Sequence, residues 1–286
     1  EPLMYKIQTL NNISLRGLER LPRDRYEVAS ELVRPDALLV RSADVHAIEI
    51  PASVLAVARA GAGTNNIPVA KLSQLGIPVF NAPGANANAV KELVLAGLFL
   101  AARNICQAWD YVRRLEGDDH ALEAAMEQGK KKFVGYELPG RTLGVVGLGA
   151  IGVEVANAAL HLGMKVMGYD PQITVQRAWQ LSSGVEQALS LDDLFARSDA
   201  VTVHVPLNDQ TRGLVNASRI SLMRKGSAVL NFARGQIVDE AAVLAGLESG
   251  QLSAYVCDFP TNAVRTHARV VALPHLGAST GEAEEN

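Results

Sequence analysis

The stretch LGVVGLGAIGVEVANAALHLGMKVMGYD, residues 143–170, leaves the chain few folds to choose from. The apolar run TLGVVGLG reads as a buried strand, AIGVEVANAALHLG as a helix and KVMGYD as the next strand. Strand, helix and strand in that order pair in parallel, because a parallel crossover needs a dozen or more residues. Gly147-Leu148-Gly149-Ala150-Ile151-Gly152 has the spacing G-x-G-x-x-G, and Asp170 closes the second strand about 20 residues on. Each part has a physical reason. Gly147 allows the tight turn, Gly149 lets the backbone approach a pyrophosphate, and Gly152 lets helix and strand pack closely. Ala150 and Ile151 open the helix, whose free N–H groups and positive dipole end suit phosphates. A carboxylate at Asp170 would accept from the adenosine ribose hydroxyls and repel a 2′-phosphate. No Arg follows in DPQITVQ, so NAD is favoured over NADP.

The same alternation runs through the first third. MYKIQTL, ALLVRS, VLAVARAG and IPVFNAP are strand candidates, and PVAKLSQLG is a helix between two of them. From Ala87 to Leu115 the apolar residues Val90, Leu93, Val94, Leu98 and Ala101 recur at helical spacing and predict one long helix. A lobe boundary is expected near residue 86, with the chain returning to the first lobe after about residue 278. GEAEEN at the end reads as the opening of a helix that continues.

Composition excludes several classes. With 286 residues, 48% hydrophobic and 20% charged, the chain can bury two α/β cores. A net charge of −3 without a basic stripe argues against nucleic acid, and Lys130-Lys131-Lys132 is expected to be a solvated loop. The two cysteines, Cys106 and Cys257, lack metal-ligand spacing, so neither a metal site nor a disulfide framework is expected and a reducing cytoplasm fits. The apolar run Leu93–Ala102 falls short of the roughly 20 residues of a membrane span.

Further along, LDDLFARSDAVTVHVPLNDQTRGLVN reads helix, strand, loop. The strand Val201–Val205 should present His204 and Pro206 at its carboxyl end, the edge where open α/β sheets seat ligands. His204 there is either a solvent-facing side chain or a cofactor contact. The next strand, Ala228–Phe232, delivers Ala233, Arg234 and Gly235 to the same edge. A guanidinium in that place can fork onto a carboxylate. His275, in VALPHLGAST, is a structural histidine or a proton carrier, and its convergence with Arg234 and the glycine motif favours the carrier.

Together, LGVVGLGAIG, NFARGQIVDE, YVCDFP and PHLGAST resemble the D-isomer-specific 2-hydroxyacid dehydrogenases, from about Leu38 to Asn286. PHLGAST with RAGAGTNNI is most similar to the branch that acts on D-3-phosphoglycerate. The resemblance implies an α/β chain of two Rossmann-like lobes with parallel sheets. A flavodoxin-like substrate lobe would comprise residues 1–86 and 279–286, an NAD-binding lobe residues 87–278, and the active site would lie between them. Arg234 would bind the substrate carboxylate and His275 would exchange a proton with the substrate oxygen. Arg41, Ser42 and Arg59 would serve the substrate phosphate, and Gly61 and Asn86 the substrate. Asp258 would lie near the nicotinamide carboxamide, and Thr211, Phe232, Ala233 and Gly277 would complete the cofactor contacts with His204 and Pro206.

One position departs. The family pairs its histidine with a Glu that falls at Ala263 in this chain, and no Asp or Glu occurs between Asp258 and His275. A carboxylate beside an imidazole fixes its tautomer, so the ring needs another partner. The activity implied is NAD-dependent oxidation of D-3-phosphoglycerate to 3-phosphohydroxypyruvate, in serine biosynthesis, by a cytoplasmic homodimer or higher oligomer. Alternatives are a reductase for glyoxylate, hydroxypyruvate or another 2-oxoacid, and an NAD(H)-sensing protein resembling dehydrogenase-like corepressors. Arg41 and Arg59 separate the first two: paired with acids, they would favour the smaller substrate.

Overall fold

A computed structural model describes residues 3–285, so residues 1 and 2 and the tail residue Asn286 lie outside it. Contacts divide the chain into two units, Glu1–Ala89 with Ala278–Asn286, and Val90–Gly277. In the first, β1 (Tyr5–Leu10), β2 (Tyr26–Ala29), β3 (Ala37–Val40), β4 (Ala56–Arg59) and β5 (Val79–Phe80) are all parallel, in the order β2-β1-β3-β4-β5. This is the flavodoxin-like order. Leu38 and Val40 of β3 and Val57 of β4 form its core with Val45, Val54, Ile67 and Leu72.

The second unit holds seven parallel strands: β6 (Thr142–Val146), β7 (Lys165–Tyr169), β8 (Val185–Gln187), β9 (Ala200–Val203), β10 (Ser227–Asn231), β11 (Leu252–Cys257) and β12 (Val270–Ala272). Their order is β12-β11-β10-β9-β6-β7-β8. β6, β9 and β10 are buried along their whole length, because helices cover both faces of the sheet. The two-residue period sorts their side chains. Leu143, Val145, Ala228 and Leu230 join one core with Val94 and Leu98, whereas Val146, Val201, Val203 and Val229 join the other with Leu194 and Phe195. Strand order reverses between β6 and β9, and ligands bind at such a switch point.

The single helix expected from Ala87 to Leu115 is two, Ala87–Arg103 and Ile105–Arg113. Asn104 between them is left-handed at φ 50°, a conformation Asn tolerates better than most residues. Its Nδ2 donates to the Phe133 and Val134 carbonyls. Lys130–Phe133 is a 3₁₀ turn whose three lysines are exposed to solvent, as expected. Among the described residues, no helix is long and apolar enough to cross a membrane.

Candidate active site

The glycine turn meets the geometry of a phosphate cradle. Gly147 has φ 88°, and a Cβ there would lie 2.5 Å from the His204 carbonyl oxygen. A Cβ on Gly152 would lie 1.8 Å from the Gly147 oxygen, so neither position admits a side chain. Gly149 differs: no heavy atom stands within 4 Å of where its Cβ would be, which leaves open the space a pyrophosphate needs. Ala150 and Ile151 begin the helix Ala150–His161, and no side chain caps its first turn. Asp170 is pinned by the Leu148 and Gln172 N–H groups, both at 2.9 Å. A carboxylate has about four acceptor directions, so two remain for ribose hydroxyls. Beside Asp170 lies a cavity of about 400 Å³ whose walls include Leu148, Ile173, Leu181, Val185 and Leu189, apolar surface suited to a flat ring. The residues present therefore fit a dinucleotide.

His204, directly after β9, is half-buried, with Nε2 2.9 Å from Thr202 Oγ1. Burial lowers its pKa to about 4, so at neutral pH the ring carries no charge. It is not a solvent-facing side chain. The exposed Pro206 accepts from Thr211 Oγ1 at 2.5 Å, and the same oxygen accepts from the Asn208 N–H at 2.9 Å, so Thr211 closes this loop. Phe232 is only 5% exposed and packs where a Cβ on Gly97 would come within 3.2 Å, so its side chain belongs to the core and only its backbone can face a ligand.

Arg234 leaves the end of β10 with its carbonyl held by Asn231 Nδ2 at 2.9 Å and its Nη1 donating to the Ala233 carbonyl at 2.6 Å. The Ala233 N–H donates to Asn231 Oδ1 at 3.1 Å. Burial lowers the guanidinium's pKa. His275 is exposed and left-handed at φ 54°. Its imidazole sits 4.5 Å from the Phe259 ring centroid, and Arg234 Cζ sits 5.7 Å from the same centroid. Arg234 and His275 thus meet across one phenyl ring. Asp258 is buried and spends both carboxylate oxygens on the Leu276 and Gly277 N–H groups, at 2.7 and 2.9 Å.

At Ala263 no acid is present, and the local carboxylate points elsewhere. Thr261 Oγ1 donates to Glu240 Oε2, while Glu240 Oε1 is buried without a hydrogen-bond partner. Burial, with help from Glu240, pushes the Cys257 thiol up to about 12.

In the first unit, Arg41 Nη2 pairs with Glu284 Oε1 at 2.7 Å. Arg59 Nε donates to the Arg41 carbonyl at 3.1 Å. A Cβ on Gly61, at φ 148°, would lie 2.3 Å from Arg59 Nη1, so this glycine makes room for the guanidinium. The Ser42 N–H donates to Asn11 Oδ1 at 3.0 Å, and Asn66 Nδ2 donates to the Arg41 and Ala43 carbonyls. Asn86 Oδ1 is buried with no hydrogen-bond partner among the described residues. Asn11, Asn66, Phe259 and Glu284 are site-shaping residues that sequence reasoning passed over. Only tertiary contacts reveal them.

The chain belongs to the D-isomer specific 2-hydroxyacid dehydrogenases: the model of that family's NAD-binding domain matches residues 95–277. It is 38% identical over 292 residues to the D-3-phosphoglycerate dehydrogenase of Archaeoglobus fulgidus, covering 98% of this chain and 53% of that one. It spans about half the length of the curated relatives it matches. Its fold is similar to that of the holo form of Rhodotorula graminis D-mandelate dehydrogenase, with a TM-score of 0.84 at 25% identity, over 99% of this chain and 90% of the other. The NAD+-bound 3-phosphoglycerate dehydrogenase of Entamoeba histolytica gives a TM-score of 0.75 at 25% identity, over 99% and 91%.

Proposed function

We propose that this protein oxidises D-3-phosphoglycerate to 3-phosphohydroxypyruvate with NAD, supplying serine biosynthesis in the cytoplasm, and that it works as a homodimer. The observation that carries the reading is the meeting of Arg234 and His275 on Phe259 in the unit that also holds the glycine cradle. Arg234 anchors the substrate carboxylate through charge-assisted hydrogen bonds. His275 removes the hydroxyl proton as the C–O bond becomes a carbonyl, general-base help typically worth 10²–10⁴-fold. Bound NAD supplies the hydride acceptor. Arg41 and Arg59, with Ser42, are assigned to the phosphate. The names of relatives 38% identical support that choice of substrate.

A second reading, a reductase for glyoxylate or hydroxypyruvate, is favoured by the Arg41–Glu284 pair, which neutralises one of the two guanidiniums assigned to the phosphate. Steady-state kinetics on 2-hydroxy acids with and without phosphate, using NAD and NADP, decides between them. Phosphoglycerate should give the highest kcat/KM, with NAD. A higher value for an unphosphorylated acid overturns the assignment, and NAD binding without turnover of any acid supports a sensor instead.

A further inference from the structure

Phe259 stands directly after Asp258 at the end of β11, and three features of the site meet on it. The His275 ring packs against it at 4.5 Å between centroids, tilted 47°. The Arg234 guanidinium lies over it at 5.7 Å. Beside Arg234, Gly235 lies alongside Phe259, and a Cβ there would be in ordinary contact with Phe259 Cβ at 3.4 Å. Among the described residues, the His275 imidazole makes no hydrogen bond or ion pair, and Phe259 is its one ring contact.

We propose that Phe259 is the positioning residue of His275, an aromatic ring doing the orienting that a carboxylate at position 263 would otherwise do. The His275 backbone is already fixed: its N–H donates to the Asp258 carbonyl at 3.0 Å, and the next two N–H groups go to the Asp258 carboxylate. Only χ1 and χ2 are left to settle. A tilted ring at this separation is a favoured aromatic arrangement and stabilises the rotamer that packs on it. It also leaves both imidazole nitrogens unengaged, so either can face the substrate oxygen. The negative face of the phenyl ring attracts cations. It therefore serves the Arg234 guanidinium continuously and the imidazole once it has taken a proton.

The catalytic part rests on the dehydrogenase reading, whereas the ring contact does not, and the test separates them. Phe259→Leu and Phe259→Tyr are assayed with NAD and D-3-phosphoglycerate. Proton–carbon spectra of histidine-labelled protein are recorded alongside, with the His275 signal assigned by its loss in His275→Asn. Phe259→Leu should lower kcat about 3–10-fold, leave the KM for NAD within about twofold, and move the His275 ring-proton signal downfield as the ring current is lost. Phe259→Tyr should restore both. If Phe259→Leu fails to fold, Phe259→Met takes its place. A kcat within twofold of the parent, or a His275 signal that does not move, overturns the proposal. If the parent oxidises no 2-hydroxy acid, the dehydrogenase reading fails, and the signal alone then decides whether Phe259 holds the ring.

Discussion

The Gly277 N–H donates to Asp258 Oδ2 at 2.9 Å, on a residue only 1% exposed. Leu276 takes the other oxygen and His275 the carbonyl, so a single residue binds three successive amides. The left-handed turn that presents His275 is therefore held from below, by groups out of reach of water.

Asp258→Asn tests that hold. Its amide would place an NH₂ against one of the two N–H groups, and a buried donor without an acceptor costs about 1–3 kcal/mol. Urea unfolding should show a loss of about 2 kcal/mol, with kcat falling more than NAD affinity. A variant as stable as the parent contradicts the arrangement.

Gly149 and Gly152 should respond in opposite ways. Gly152→Ala forces a methyl onto the Gly147 carbonyl and should destabilise the protein by about 3 kcal/mol. Gly149→Ala puts its Cβ where no protein atom lies within 4 Å and should leave the melting temperature within a few degrees, yet weaken NAD binding at least about tenfold by filling the pyrophosphate space. Thermal melting and titration calorimetry read the two effects separately.

His204 predicts a dependence of stability on pH. Its pKa falls from 6.5 to about 4 on folding, so the unfolded chain takes up the proton first. The neutral ring's contribution is complete above about pH 6.5 and is lost as the pH drops towards 4, up to about 3 kcal/mol in all. In His204→Gln the stability lost between pH 7 and 4.5, measured by urea unfolding, should be smaller than in the parent. Parallel curves would show that another group is responsible.

Glu284 pairs with Arg41, one of the two guanidiniums proposed for the substrate phosphate. The pair is partly exposed, 36% and 44% by side chain, so Glu284→Gln should change the unfolding free energy by less than about 1 kcal/mol. It should also lower the KM for phosphoglycerate a few-fold at low salt, an effect that fades at high ionic strength. An unchanged KM at low salt would remove Arg41 from the phosphate site.

The cofactor cradle was readable because each glycine meets a local constraint, and the strand before it and helix after it carry their own periodicities. The positions of Arg234 and His275 were readable because both follow apolar strands to one sheet edge. Other features depend on distant partners. Asn11 shapes the turn at Ser42 from 31 residues away, and Arg41 finds Glu284 across 243. No local pattern encodes either contact. β2 has no fully buried residue and so shows no apolar run. The break at Asn104 is hidden because no Gly or Pro marks it and helix runs up to it on both sides. Phe259 looked like an ordinary apolar residue until the loop carrying His275 was folded against it.

Cys257 ends β11 just ahead of Asp258, and its thiol is pushed up to about 12. The thiolate is the form that reacts with alkylating agents and peroxide, and this one is all but missing at neutral pH. The strand behind the Arg234 and His275 loops is thus chemically silent, and maleimide should mark the half-buried Cys106 long before it touches the buried Cys257.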